Sequence, residues 1–131
     1  MFIDASALVA ILVREAEASD FSRRARQAVV RYTSPMAIYE AVLAVSRVRR
    51  ISVDRAENLV ERLLAAAGIQ NVPISAEIGR LAIEAFARFG RGKHPARLNM
   101  GDCFAYACAR SLGVPMLCKG GDFAQTDIEL A

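Results

Sequence analysis

Four acidic residues stand where carboxylates are unusual. Asp4 follows the apolar start Met1-Phe2-Ile3 and precedes the run Ala7 to Val13, so it ends a short strand that turns directly into a helix. Glu40 sits among Met36, Ala37, Ile38, Tyr39, Ala41, Val42 and Leu43, inside a helix opened by Ser34-Pro35. Asp102 falls in the first turn of a helix capped by Asn99, and Asp122 comes just after a last buried strand. Like charges brought to one site repel, so some of these acids must take up protons or a cation must hold them ionised. Hard oxygen donors without a histidine cluster favour magnesium or manganese over zinc. Such an ion orients and polarises a phosphodiester and makes a hydroxide nucleophile from water at neutral pH.

Each acid also has a plainer explanation. Asp4 and Ser6 are both good helix caps; with three further acids in play, Ser6 is the expected cap and Asp4 the first metal ligand. Ser6 could also steady Asp4 and a bound water. A first-turn Asp102 gains about 0.3–1 kcal/mol from the helix dipole alone. Asp122 is a natural turn acid after Gly120-Gly121. Glu40 is the least ordinary, because a buried carboxylate is costly unless paired; its plain alternative is a half-exposed helix face with an ion pair to Arg47. Asp127 is kept as a supporting ligand near Asp122.

The elements that must position these residues alternate. The strand Met1–Ala5 and its helix are followed by a helix from Glu15 to Val30, a strand from Val29 to Ser34, and the Glu40 helix over Pro35–Arg49. Ser52 opens and Gly68 ends a helix whose Ala56, Leu59, Val60, Leu63, Leu64 and Ala67 recur at helical spacing. A strand over Ile69–Ile74 leads to a helix capped by Ser75, with inward residues Ile78, Leu81, Ala82, Ala85, Phe86 and Phe89, stopped by Gly90. The segment Gly90–Arg97 reads as a mobile basic loop with no core-forming pattern, followed by the helix from Asn99 to Leu112 and the strand Val114–Cys118. Alternation of this kind predicts an α/β fold with a central parallel sheet and helices on both faces, in one domain over residues 1–131.

Composition narrows the class. The chain has 131 residues, 54% hydrophobic and 24% charged, with a mean hydropathy of +0.26. Its uncharged stretches fall short of the ~20 residues a membrane span needs. Without a basic opening segment, and with Asp4 inside what would be a signal peptide's apolar core, a cytoplasmic location is expected. Cys103, Cys108 and Cys118 read as small core residues of a reducing compartment. The net charge is +3. Arg91, Lys93 and Arg97, together with Lys119, are the candidate contacts for a phosphate-bearing partner such as RNA. The glycine-rich nucleotide motifs and the serine-nucleophile elbow are absent.

Taken in order, Phe2-Ile3-Asp4-Ala5-Ser6-Ala7-Leu8, Glu40, Leu98 to Ala107, and Leu117-Cys118-Lys119-Gly120-Gly121-Asp122-Phe123 resemble the PIN-domain ribonucleases, specifically VapC-type toxins of toxin–antitoxin pairs. The resemblance covers essentially the whole chain. It implies a three-layer α/β/α fold, a homodimer, and a magnesium- or manganese-dependent (Mg2+ or Mn2+) endoribonuclease restrained by a VapB-like antitoxin. It assigns Asp4, Glu40, Asp102 and Asp122 as the acidic quartet, with Ser6 as the supporting hydroxyl. Gly121 departs from the family, which often carries asparagine or another acid there. Alternatives are a non-toxin RNA-processing PIN nuclease and a binding module acting in a repressor complex. A haloacid-dehalogenase-type phosphotransferase would want a second acid where Ser6 stands, and a receiver domain would want adjacent acids beside Asp4.

Overall fold

The computed structural model describes every residue from Met1 to Ala131. In chain order its elements are β1 (Phe2–Ile3), α1 (Ala5–Val13), α2 (Ala18–Gln27), β2 (Arg31–Thr33), α3 (Pro35–Arg49), α4 (Val53–Ala67), β3 (Ile69–Asn71), α5 (Ala76–Phe89), α6 (Met100–Leu112) and β4 (Met116–Leu117). A short 3-10 turn, Phe123–Gln125, follows. The sheet runs β3-β2-β1-β4 with every pairing parallel. All four strands therefore end at the same edge of the sheet. Phe2, Ile3, Met116 and Leu117 are fully enclosed, as expected of central strands covered by helices on both faces in a three-layer α/β/α fold.

Local chemistry sets the helix ends. Ser34 caps α3 through the Ala37 N–H at 3.2 Å, with Pro35 in the first turn. Ser52 and Ser75 cap α4 and α5 in the same way, and Gly68 closes α4 at φ +60°, a conformation open to glycine without strain. Asn99 and Asp102 exchange reciprocal bonds in a capping box at the start of α6. The three thiols are pushed up by burial, Cys103 and Cys108 to about 11 and Cys118 to about 12, which suits inert packing residues.

Several expectations require correction. The strands are shorter than the apolar runs suggest, because only their centres pair; beyond them single bonds such as Asp4 N–H to Leu117 O (3.0 Å) and Val72 N–H to Thr33 O (2.9 Å) continue the contact. The second helix begins at Ala18, since residues after α1 first turn through the left-handed Arg14. Phe86 is 43% exposed and so is not part of the inward face of α5. Ser6 does not cap α1; Asp4 does, accepting the Ser6 N–H.

The basic loop is also better built than its glycines imply. Arg91 N–H bonds Leu98 O and Leu98 N–H bonds Phe89 O, at 3.0 and 2.9 Å. Ala96 and Leu98 are fully buried, the His94 ring stands edge-on to Phe89 with centroids 5.2 Å apart, and its Nδ1 accepts the Ala96 N–H. Gly90 is needed at the loop entrance because a Cβ there would strike the Phe86 carbonyl and ring. Truncating Leu98 to alanine should cost about 2–5 kcal/mol, the range for emptying a fully buried leucine site. Urea unfolding measures this, and a loss below about 1 kcal/mol would mean the loop is merely a solvated tip.

Candidate active site

The end of β1 hands Asp4 to the start of α1. Its backbone is still extended (φ −73°, ψ 159°) while its carbonyl already accepts the Ala7 and Leu8 N–H groups, so the side chain is held at the joint between strand and helix. Only 5% of Asp4 is exposed. Oδ2 accepts two bonds, from the Ser6 N–H at 3.0 Å and the Ser6 hydroxyl at 2.6 Å. Burial nevertheless dominates and raises the Asp4 pKa, with the Ser6 and Ala5 donors opposing. The Ser6 oxygen in turn accepts the Lys119 N–H at 2.9 Å, tying the segment after β4 to α1.

Glu40 enters from α3, in the second turn after the Ser34 cap. Its carboxyl is half-buried and raised to about 7, first by desolvation and then by the charges of Asp4 and Asp102. The expected alternative partner, Arg47, makes no ion pair with it. Instead the Glu40 carboxyl lies against α6 at Gly101, where a Cβ would collide with both oxygens. Asp102 is the third residue of α6. Its Oδ2 accepts the Asn99 N–H at 2.8 Å, yet its pKa is raised, by burial first and then by Asp4 and Asp122, with Arg91 pulling the other way.

Asp4, Glu40 and Asp102 line one cavity of about 550 Å³, together with Ser6, Arg47 and Lys119. Asp122 is exposed and does not line it, although its charge reaches Asp102. Asp127 is elsewhere: it accepts from the Tyr106 hydroxyl at 2.5 Å and from Arg88 and Arg110 at 2.9 and 3.1 Å, which lowers its pKa and makes it an anchor for the last segment. Among the candidate RNA contacts, Arg91, Lys93 and Arg97 are exposed on the loop beside Asp102's helix, and Arg91 is the one whose charge acts on Asp102. The Lys119 ammonium is engaged by Glu15 and Glu17 at 2.7 and 3.4 Å. Gly101 and Arg47 were not among the site candidates; the sequence signal for Gly101 is its place immediately before a first-turn acid, and that for Arg47 is its place two helical turns after Glu40.

The donor chemistry of this cavity fits a hard divalent cation: three carboxylates, two fixed through one oxygen each, all with raised pKa and none offset by an ion pair. The acids surround the cavity without closing on a point, and no three of them are near enough to hold an ion in this conformation. A hollow of about 500 Å³ at the opposite end of the sheet, lined by Met1, Val30, Tyr32 and Pro115 among others, has no acidic side chain.

Residues 1–129 match the PIN domain family. A VapC ribonuclease of Rhizobium meliloti (strain 1021) is 37% identical, over 97% of this chain and 98% of its own. Ribonuclease VapC42 of Mycobacterium tuberculosis is 39% identical, over 100% and 98%. The crystal structure of Mycobacterium tuberculosis VapC20, described as a sarcin–ricin loop cleaving toxin, aligns at a TM-score of 0.79 and 20% identity, covering 99% of this chain and 97% of that one, and so shares the fold. With its acids at the end of a parallel sheet and full-length relatives of one kind, the chain belongs to the PIN-domain family, among its VapC ribonucleases.

Proposed function

We propose that residues 1–131 work as one PIN domain, a divalent-metal-dependent endoribonuclease that serves as the toxin of a toxin–antitoxin pair. The observation that carries this is the gathering of Asp4, Glu40 and Asp102 around one cavity, each with a raised pKa and no cationic partner. The full-length VapC relatives support it. Magnesium or manganese is the ion such oxygens would hold, a VapB-like antitoxin the restraining partner, a homodimer the working form and the cytoplasm its location. No helix is long and apolar enough to cross a membrane.

In this reading a bound ion supplies Lewis acidity and lowers the pKa of water. Asp4 and Asp102 are the principal ligands: each is held through Oδ2, by Ser6 and by the Asn99 N–H, which leaves Oδ1 free. Asp122, exposed just past the Gly120-Gly121 turn, completes the set. Glu40, raised to about 7, takes a proton from the attacking water as its oxygen bonds to phosphorus and the P–O3′ bond breaks; the departing 3′ oxygen takes a proton from solvent, leaving 5′-phosphate and 3′-hydroxyl ends. Arg91 steadies the phosphate beside Asp102. Ser6 positions Asp4.

Asp4→Asn and Asp102→Asn proteins should lose cleavage of structured RNAs by at least about 100-fold, the scale for removing a catalytic electrostatic group. The readout is the rate of 5′-phosphate end formation with magnesium or manganese, and the sarcin–ricin loop is one substrate to include. Cleavage that continues in EDTA would sink the metal-dependent reading. Asp127→Asn should behave oppositely, lowering the melting temperature while leaving the cleavage rate within about twofold.

The raised Glu40 pKa also fixes a pH dependence. Between about 4.5 and 7 the folded state holds a proton that the unfolded state has released, so stability falls as pH rises through this window. In EDTA, urea unfolding at pH 5 and pH 8 should show wild type losing stability, and Glu40→Gln losing clearly less. Equal slopes in the two proteins would show that Glu40 is not the titrating group.

A further inference from the structure

A second basic region lies away from the loop around Arg91. Arg47, Arg49 and Arg50 end α3, and Arg55 and Arg62 stand two turns apart on α4. All five are exposed. None makes an ion pair, whereas Arg23, Arg24, Arg88 and Arg110 each reach a carboxylate. Arg49, Arg55 and Arg62, with Asn58, line a cleft of about 450 Å³ at the α3–α4 joint.

Helix electrostatics explain only part of this. Cations in the last turn of α3 are stabilised by the helix dipole. Arg55 is placed against it, in the first turn of α4, and Arg62 lies in mid-helix. The acids of α4 form no ion pair with them: Glu57 and Glu61 line a different groove, shared with Tyr39 and Leu43, and Asp54, in the first turn, reaches no guanidinium. Convergent unpaired guanidinium groups in a cleft match a phosphate backbone, which accepts the forked donors of arginine in pairs.

The cleft and the candidate active site are separate hollows that both touch the C-terminal half of α3. Arg47 lines the catalytic cavity and Arg49, two residues on, lines the cleft. Glu40 and Arg47 are seven residues apart on one face of α3, about 10 Å along the axis. Arg49 projects to the other side of α3 from Arg47, so a strand whose scissile phosphate sits among the acids reaches the cleft by passing Arg47 and rounding the end of α3 at the exposed Arg50.

We propose that the α3–α4 cleft is an exosite for the RNA phosphate backbone, gripping substrate beyond the scissile bond through Arg49, Arg55 and Arg62. The identity of the ligand as RNA rests on the ribonuclease reading, but its test does not require cleavage. In EDTA, the affinity of the full protein for labelled single-stranded RNA is measured across a salt series, for wild type and for Arg49→Gln/Arg55→Gln/Arg62→Gln. Affinity should fall on the order of tenfold at low salt, and the log–log salt slope should drop by about 2, since each single-strand phosphate contact contributes roughly 0.7. With magnesium, the variant should raise KM for a long RNA and leave kcat unchanged. If the triple variant melts early, Arg62→Gln alone should give about one third of the slope change.

Unchanged affinity and slope would overturn the exosite, as would a wild type that does not bind RNA in EDTA. So would a variant that keeps RNA binding but loses capture of an acidic peptide, which would assign the cleft to a protein partner. Failure of wild type to cleave any RNA with either metal would instead strike at the ribonuclease reading.

Discussion

Asp4 is a carboxylate that the fold has almost closed off from water, at the end of its central strand. Taking such a charge out of water costs several kcal/mol even after relaxation. The two Ser6 bonds to Oδ2, each of the charge-assisted kind worth about 1.5–3 kcal/mol, offset much of this. They do not offset all of it, as the direction of the Asp4 pKa shows. The arrangement of neighbouring elements follows from that deficit. β1 is short and α1 begins directly after Asp4; Ser6 turns back onto Asp4, and the same hydroxyl oxygen accepts the Lys119 N–H, holding the end of β4 alongside.

The remaining acids divide into two groups. Asp20, Glu17 and Asp127 have pKa values shifted down, first by the Arg23 bond, by Glu17's own backbone N–H and by the Tyr106 hydroxyl respectively, and each also has a cation in reach. Asp4, Glu40 and Asp102 have no cation bonded to them and are shifted up, each chiefly by burial, with the charge of Asp4 adding to the rise at Glu40 and Asp102. Maintaining the second group works against stability. Concentrations of perturbed, unpaired carboxylates in a cavity are the arrangement expected where a cation or a proton is handled.

Much of this was legible in the chain. The Ser34-Pro35, Ser52…Gly68, Ser75 and Asn99…Asp102 signals locate four helices almost to the residue, because capping is short-range chemistry carried by neighbours in sequence. Strand lengths were less legible, since an apolar run shows what is buried and not where parallel partners stop. Reading Ser6 rather than Asp4 as the cap of α1 was a local error with a clear cause. Both types can cap, and the choice depends on Ser6 being drawn to Lys119, 113 residues away. Asp127 looked like a neighbour of Asp122 in sequence, but Arg88 and Arg110, from α5 and α6, draw it to another surface. No pattern within a few residues reports such distant partners.

Gly101 shows how closely the site and the packing are joined. Glycine is a poorer helix former than alanine, by roughly 0.5–1 kcal/mol in mid-helix. Here any side chain would displace the Glu40 carboxyl that packs against it, so the helix that presents Asp102 is also the surface that seats Glu40. The position of α3 against α6 therefore sets the distance between these two like charges, and with it how far the Glu40 pKa is raised. A fold that packed α3 and α6 through larger side chains would gain apolar contact and lose that coupling.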